Sequence, residues 1–244
     1  MNSVKISALA SSSLFGGALL GMYFRPFLPT EHLLGVQMGV GLLTSMFALL
    51  LSLQLSAGKI YFDTQEQDVT LFASRTLLLD SVLAHYGPEA KEARETLRDG
   101  VSDFLTRVWP RKSTTASIWT PRDGVGIYDK VQELSPKDDD QRSKRTVALG
   151  IVTDLSRMSW TTAARRRSST AVPLMVVEIA WATIIFVSFG LLAPFGATAI
   201  VSLAFCAIAI SSGFFLIAEM NSPFSGVLKV SSAPIREAIK YLAQ

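Results

Sequence analysis

Residues 36–58, VQMGVGLLTSMFALLLSLQLSAG, run without a single formally charged side chain. At 1.5 Å of rise per residue, a helix of that length crosses a hydrocarbon layer of about 30 Å. The run passes with no helix breaker into KIYFDTQEQDVTLFASRTLLLDSVLAHYG, so a soluble helix is expected to grow directly out of the span. Gln37, Thr44, Ser45, Ser52, Gln54 and Ser56 interrupt the apolar residues. Where these side chains point decides whether the span is an anchor or a lining.

Three further stretches have the same character. Ile6–Phe24 forms a first span that contains a Gly17/Gly21 pair, a spacing that lets a neighbouring helix approach closely. Arg25, Pro26 and Pro29 end it, and a retained span is expected here instead of a cleaved signal peptide, because its far end is Gly-rich and another span follows at once. Val172–Leu192 and Ala197–Ala218 are the third and fourth spans, joined only by APFG. A mean hydropathy of +0.35 agrees with a membrane protein.

The charges lie between the span pairs. Of 23 Lys and Arg, only Lys5, Arg25, Lys229, Arg236 and Lys240 fall outside residues 58–171, and of 20 acids only Glu31, Glu178, Glu219 and Glu237 do. The middle segment is therefore mixed in sign and nearly neutral, which fits a soluble helical surface and gives nucleic acid no basic stripe to bind. With four spans, this segment and both termini share one side of the membrane, and the positive-inside rule makes that side the cytoplasm.

Within the middle segment, Tyr61–Tyr86 reads as an amphipathic helix with Val69, Phe72, Ala73, Leu77, Leu79 and Val82 on its apolar side. Gly87-Pro88 stops it and starts a helix that reaches about Val108. Arg111–Gly126 reads as a loop, Ile127–Leu134 as a short helix, and Lys137–Arg167 as a third long one. The acids 138–140 at its start and the arginines 165–167 at its end both complement the helix dipole. Three consecutive acids on a helix point in different directions, so a solvated helix start is the reading preferred to a cation site.

Nothing in the chain looks like an enzyme. His32 and His85 fall on opposite sides of the expected membrane, Cys206 is the only cysteine, and nucleophile-elbow, phosphate-loop and zinc-helix patterns are absent. No cofactor and no metal are expected. Glu178 is the one acid well inside a span, where a charged carboxylate is costly. It reads either as a pathway residue or proton acceptor, or as a neutral or hydrogen-bonded packing residue. Glu219 ends the fourth span and reads as interfacial.

On a helical projection of the second span, Gln37, Gly41, Ser45, Ala48, Ser52 and Ser56 share one stripe with Thr44 at its border. Leu42, Met46, Leu49, Leu50 and Leu53 occupy much of the rest. Such a stripe suits close helix packing, or contact with water along a pore. Both readings remain at this point.

The segments LLTSMFALLLSLQLSAGKIYFDTQEQDV, LLLDSVLAHYGPEAKEARETLRDGV, FVSFGLLAPFGATAIVSLAFCAIAI and FFLIAEMNSPFSGVLKVSSAPIREAIKYL together resemble a bacterial membrane family usually called bestrophin-like. The fourth-span exit AEMNSPFSG, with Glu219, Asn221, Pro223, Phe224 and Gly226, is similar to the bestrophin pattern of an acid, an asparagine and a Pro-Phe-Gly turn. True bestrophins are pentameric anion channels lined by the second span. The resemblance thus implies a homo-oligomer, a pentamer, with Gln37, Gly41, Thr44, Ser45, Ala48, Ser52 and Ser56 as pore-lining candidates. A neck of bulky apolar residues, as in bestrophins, would instead use Met46, Phe47 and Leu50. Animal members gate through a calcium clasp of acids just after the turn. Here Gly226, Val227, Leu228 and Lys229 stand at that place, so calcium gating is not expected.

The expectation is an all-α membrane protein with four transmembrane helices in two hairpins flanking a cytoplasmic helical region. Residues 1–58 hold the first hairpin (spans 6–24 and 36–57), 59–171 the cytoplasmic region, 172–218 the second hairpin (spans 172–192 and 197–218), and 219–244 a cytoplasmic tail. The expected location is a bacterial inner membrane and the expected function an anion channel. The alternatives are a non-conducting anchor whose cytoplasmic helices bind a protein partner, and a membrane enzyme or transporter using Glu178.

Overall fold

A computed structural model describes residues 3–27, 33–109, 122–167 and 171–242. The described residues are almost entirely helical, with no strand among them. In chain order the helices are α1 (Ser3–Phe24), α2 (Leu33–Tyr86), α3 (Lys91–Val108), α4 (Arg122–Glu133), α5 (Asp139–Arg167), α6 (Ala171–Leu192), α7 (Ala197–Met220) and α8 (Ala233–Leu242). Four of them, α1, α2, α6 and α7, are long and apolar enough to cross a membrane. The chain divides into two compact units, residues 1–62 with 170–228, and residues 63–169 with 229–244. Helix α2 runs unbroken through the division.

In the first unit α1 is the central element, packed on α6 and α7. Ile6, Ala10, Leu14 and Ala18 recur every fourth residue and are buried, which places one edge of α1 against Met175, Ala182, Ile185 and Phe186 of α6 and Ala207, Phe214 and Ile217 of α7. The α1–α6 approach is closest where glycines meet backbone. A Cβ on Gly21 would stand 2.0 Å from the Val187 carbonyl oxygen, and one on Gly190 would stand 2.1 Å from that of Ala18. Ser13 and Thr183 share a hydrogen bond of 2.9 Å along the same seam. The Gly17/Gly21 pair is therefore spent inside the chain, on α6.

Contacts also fix directions within this unit. Ser7 Oγ donates to the Ser211 carbonyl and Ser3 Oγ to Glu219, so α1 and α7 are antiparallel. Leu51 lies against Gly213 and Met220 against Gly58, so α2 and α7 are parallel. At the opposite end from Ser3, Arg25 donates to the Ala193 carbonyl at 2.7 Å, satisfying an orphan acceptor just past α6. Tyr23, Phe24 and Phe27 cluster there and are exposed, as in the aromatic belts of membrane interfaces.

The second unit is built by the later part of α2 with α3, α4, α5 and α8. Val69, Ala73, Leu79 and Leu83 are buried together with Leu97, Val101, Val131, Val152 and Ile235. Asp80 takes a two-pronged hydrogen bond from Arg94 at 2.6 and 2.8 Å. Gly87, at φ +128°, lets the chain turn sharply between α2 and Pro88. At the start of α5 the Asp138 carboxylate accepts the Gln141 N–H while Gln141 Oε1 accepts the Lys137 N–H, a reciprocal cap. Asp139 and Asp140 pair with Arg142 and Lys144 on their own helix, so the acidic triplet serves the helix start.

Two features differ from the expectations. Helix α4 begins at Arg122, earlier than Ile127, and so takes in Gly124 and Gly126, which read as loop in the sequence. Residues 110–121 of the expected loop lie outside the described residues, as do Pro29, Glu31 and His32. The C-terminal tail also divides between the units. Residues 219–228 stay with the first, whereas Trp109 Nε1 donates to the Val230 carbonyl at 3.0 Å and Ile235, Ala238 and Leu242 bury one face of α8 in the second.

Candidate pore-lining helix and the turn after the last span

At about 100° per residue, the membrane stretch of α2 has three faces roughly a third of a turn apart. The first carries Val40, Phe47, Leu51, Gln54 and Gly58 and attaches α2 to its own bundle, with Phe47 buried and tilted against Phe214 at 6.4 Å. The second is the small, polar stripe. Gln37, Gly41, Ser45, Ala48, Ser52 and Ser56 are all exposed, and Thr44 is half-buried where the stripe borders the first face. The third is apolar and equally bare, with Leu42, Met46, Leu49, Leu53 and Ile60 each about half exposed or more.

This uncovered state sets α2 apart. Only 11 % of its most apolar stretch is buried, against 39 % for α1. A Cβ added at Gly35, Gly39 or Gly41 would meet nothing within 4 Å. Thr44 and Ser45 donate their hydroxyls to the Val40 and Gly41 carbonyls at 2.7 and 3.0 Å. A hydroxyl satisfied by its own helix is tolerated against lipid, a neighbouring helix or water alike. Of the apolar neck candidates, Met46 lies on the third face and Leu50 at its edge, both exposed, whereas Phe47 is inside the bundle and its ring is committed to packing.

Glu178 on α6 is 3 % exposed, and the side-chain amide of Gln54 lies beside its carboxyl. Glu178 Oε2, Gln54 Nε2 and Ser211 Oγ are buried with no hydrogen-bond partner among the described residues. Gln54 was legible only as an interruption of the apolar run; its place beside Glu178 follows from the rotation of α2, which no local spacing reveals.

The turn after α7 is organised by Glu219, which is buried, 1 % exposed. Its Oε2 accepts the Val227 and Leu228 N–H groups at 2.5 and 2.9 Å, and its Oε1 accepts the Ser3 hydroxyl at the start of α1. Gly226, at φ +103°, lets the chain fold over the carboxylate, where any Cβ would come within 2.5 Å of it. Asn221 Nδ2 donates to the Ile217 carbonyl at 2.8 Å, capping the helix end, and Pro223 is buried beneath the turn. The groups facing Glu219 here are donors, the opposite of what a cation requires. No cluster of three or more His, Cys, Asp or Glu suited to a metal occurs among the described residues.

The family model described as Bestrophin-like domain matches residues 16–235 of the chain. Comparison with curated proteins and with solved structures returns no match.

Proposed function

The chain belongs to the bestrophin-like family, and from that premise we propose that it is a homo-oligomeric membrane channel for small anions in which α2 lines the pore. The observation that carries the proposal is the uncovered polar stripe on α2. In a single chain every other span is packed more heavily, and a helix left bare on two faces is incomplete until other copies cover one of them. The apolar face of Leu42, Leu49 and Leu53 is the one suited to lipid or a neighbouring subunit, which leaves the stripe from Gln37 to Ser56 for the axis.

In this arrangement α1 with α2 and α6 with α7 form two hairpins, residues 63–169 are cytoplasmic with both termini, and the membrane is a bacterial inner one. Calcium gating has no part in it.

Purified protein in liposomes, with its oligomeric state measured in the same preparation, should pass chloride or nitrate faster than protein-free liposomes. An intact oligomer with no flux above that background overturns the proposal. It would leave the non-conducting reading, in which the stripe packs between helices and the second unit binds a partner.

A further inference from the structure

We infer that the turn 226–228, together with Ser3, is an anion-binding nest whose resident ligand is the carboxylate of Glu219, and that this tethered anion latches the start of α1 to the exit of α7. Backbone N–H groups converging from successive residues next to a glycine of positive φ form a concavity that accepts anions. Here two such groups, on Val227 and Leu228, reach the same oxygen at 2.5 and 2.9 Å, and a hydroxyl from the start of α1 reaches the second oxygen. Gly226 belongs to the site for two separable reasons. Its φ of +103° aims the following amides inward, and its missing side chain leaves room for the carboxylate, since a Cβ would lie 2.5–2.9 Å from all three carboxyl atoms.

Hydrogen bonds to a charged acceptor are among the stronger ones, and this acceptor is withdrawn from water. The bound anion cannot diffuse away because it is held by α7, so a free anion has to compete with a tethered one. The Glu219 carboxylate ties the last turn of α7 to residues 226–228, eight and nine residues on, and both to Ser3, 216 residues away in the chain. The inference needs no conduction and stands apart from the channel reading.

Removing the carboxylate should leave the nest empty and open to a free anion of the same shape. The test measures amide hydrogen exchange across residues 222–230 in the purified full-length protein, as wild type and as Glu219→Ala. The truncation should speed exchange at Val227 and Leu228 by about tenfold or more, the scale of losing charge-assisted bonds. Sodium formate should restore protection, and the bulkier methanesulfonate at equal ionic strength should not. Unchanged exchange in Glu219→Ala overturns the latch, and lost protection that formate does not restore overturns the anion site. Should Glu219→Ala not assemble, Glu219→Gln keeps the volume and one acceptor oxygen for the Val227 and Leu228 amides but removes the negative charge that strengthens those bonds. It should exchange faster than wild type and ignore formate, and protection equal to wild type would overturn the inference.

Discussion

The membrane stretches of α1 and α2, residues 6–24 and 36–58, are both uncharged and rich in glycine and serine, yet the molecule treats them in opposite ways. In α1 the small residues are consumed: Gly17 and Gly21 admit the α6 backbone, Ser7 and Ser13 reach Ser211 and Thr183, and Ser3 reaches Glu219. In α2 the small residues are left over, since Gly39 and Gly41 touch nothing and Ser45 bonds only to its own helix. The same composition therefore marks a finished interface in one helix and an unfinished surface in the other. The difference teaches that a small-residue stripe has no meaning until its neighbours are known.

The sharpest way to break this comparison is to add bulk to both. Gly21→Val forces the α1 and α6 backbones apart and should destabilise the protein by about 3 kcal/mol or more, seen as a large fall in thermal stability in detergent. Gly41→Val should cost no more than about 0.5 kcal/mol, because nothing stands within reach of the new side chain. A large loss of stability or of the oligomer in Gly41→Val would show that the stripe packs against protein. Next in size, Phe47→Ala removes the ring that fixes the rotation of α2 on its bundle. It should cost about 3 kcal/mol, measured by the same unfolding assay.

Much of this architecture was readable from the chain, for a physical reason. A span is a sum over some twenty side chains, so four helices long and apolar enough to cross a membrane emerge from hydropathy. All four start, and α1, α6 and α7 also end, within a few residues of the expected bounds, and the Gly87-Pro88 break is a local backbone requirement. Pairwise geometry was not readable. Gly21 faces the Val187 carbonyl and Gly190 the Ala18 carbonyl, and no spacing links either pair. Phe47 reads as a neck candidate because it lies between Met46 and Leu50 on a bulky run, but contact with Phe214 turns it inward. Glu219 reads as an interfacial acid from its place at a span end, whereas the donors it binds lie eight and nine residues ahead and 216 residues behind. The one local hint was Gly226, a glycine placed where a turn needs positive φ.

A smaller effect on stability but a direct one on function is expected from Ser52→Leu. The site is exposed on the polar stripe, so the fold should hold within about 0.5 kcal/mol while anion flux per oligomer falls severalfold. Leu49→Ser, on the neighbouring apolar face, is the matched control and should leave flux near wild type. If the effects are reversed, the third face lines the axis and the assignment of the two faces must be exchanged.

The smallest effect concerns the far end of α2, where one side of the helix, with Leu83 and Tyr86, is buried again. Tyr86 is 3 % exposed, and its hydroxyl is buried with no hydrogen-bond partner among the described residues. Its backbone carbonyl accepts Gln141 Nε2 at 3.0 Å, a bond independent of the phenol. Tyr86→Phe removes only the unsatisfied oxygen and should be neutral or stabilising by up to about 1 kcal/mol. Burial pushes the phenol above its ordinary value, and the nearby Glu89 carboxylate adds to the shift. The folded state therefore holds this proton more tightly than the unfolded one. Stability is at its full value below the ordinary tyrosine range and is lost as pH rises through and above it. Tyr86→Phe should lose less stability than wild type on alkaline titration, and identical alkaline profiles would show that the phenol reaches water, so that α2 is less covered at Tyr86 than the buried ring implies.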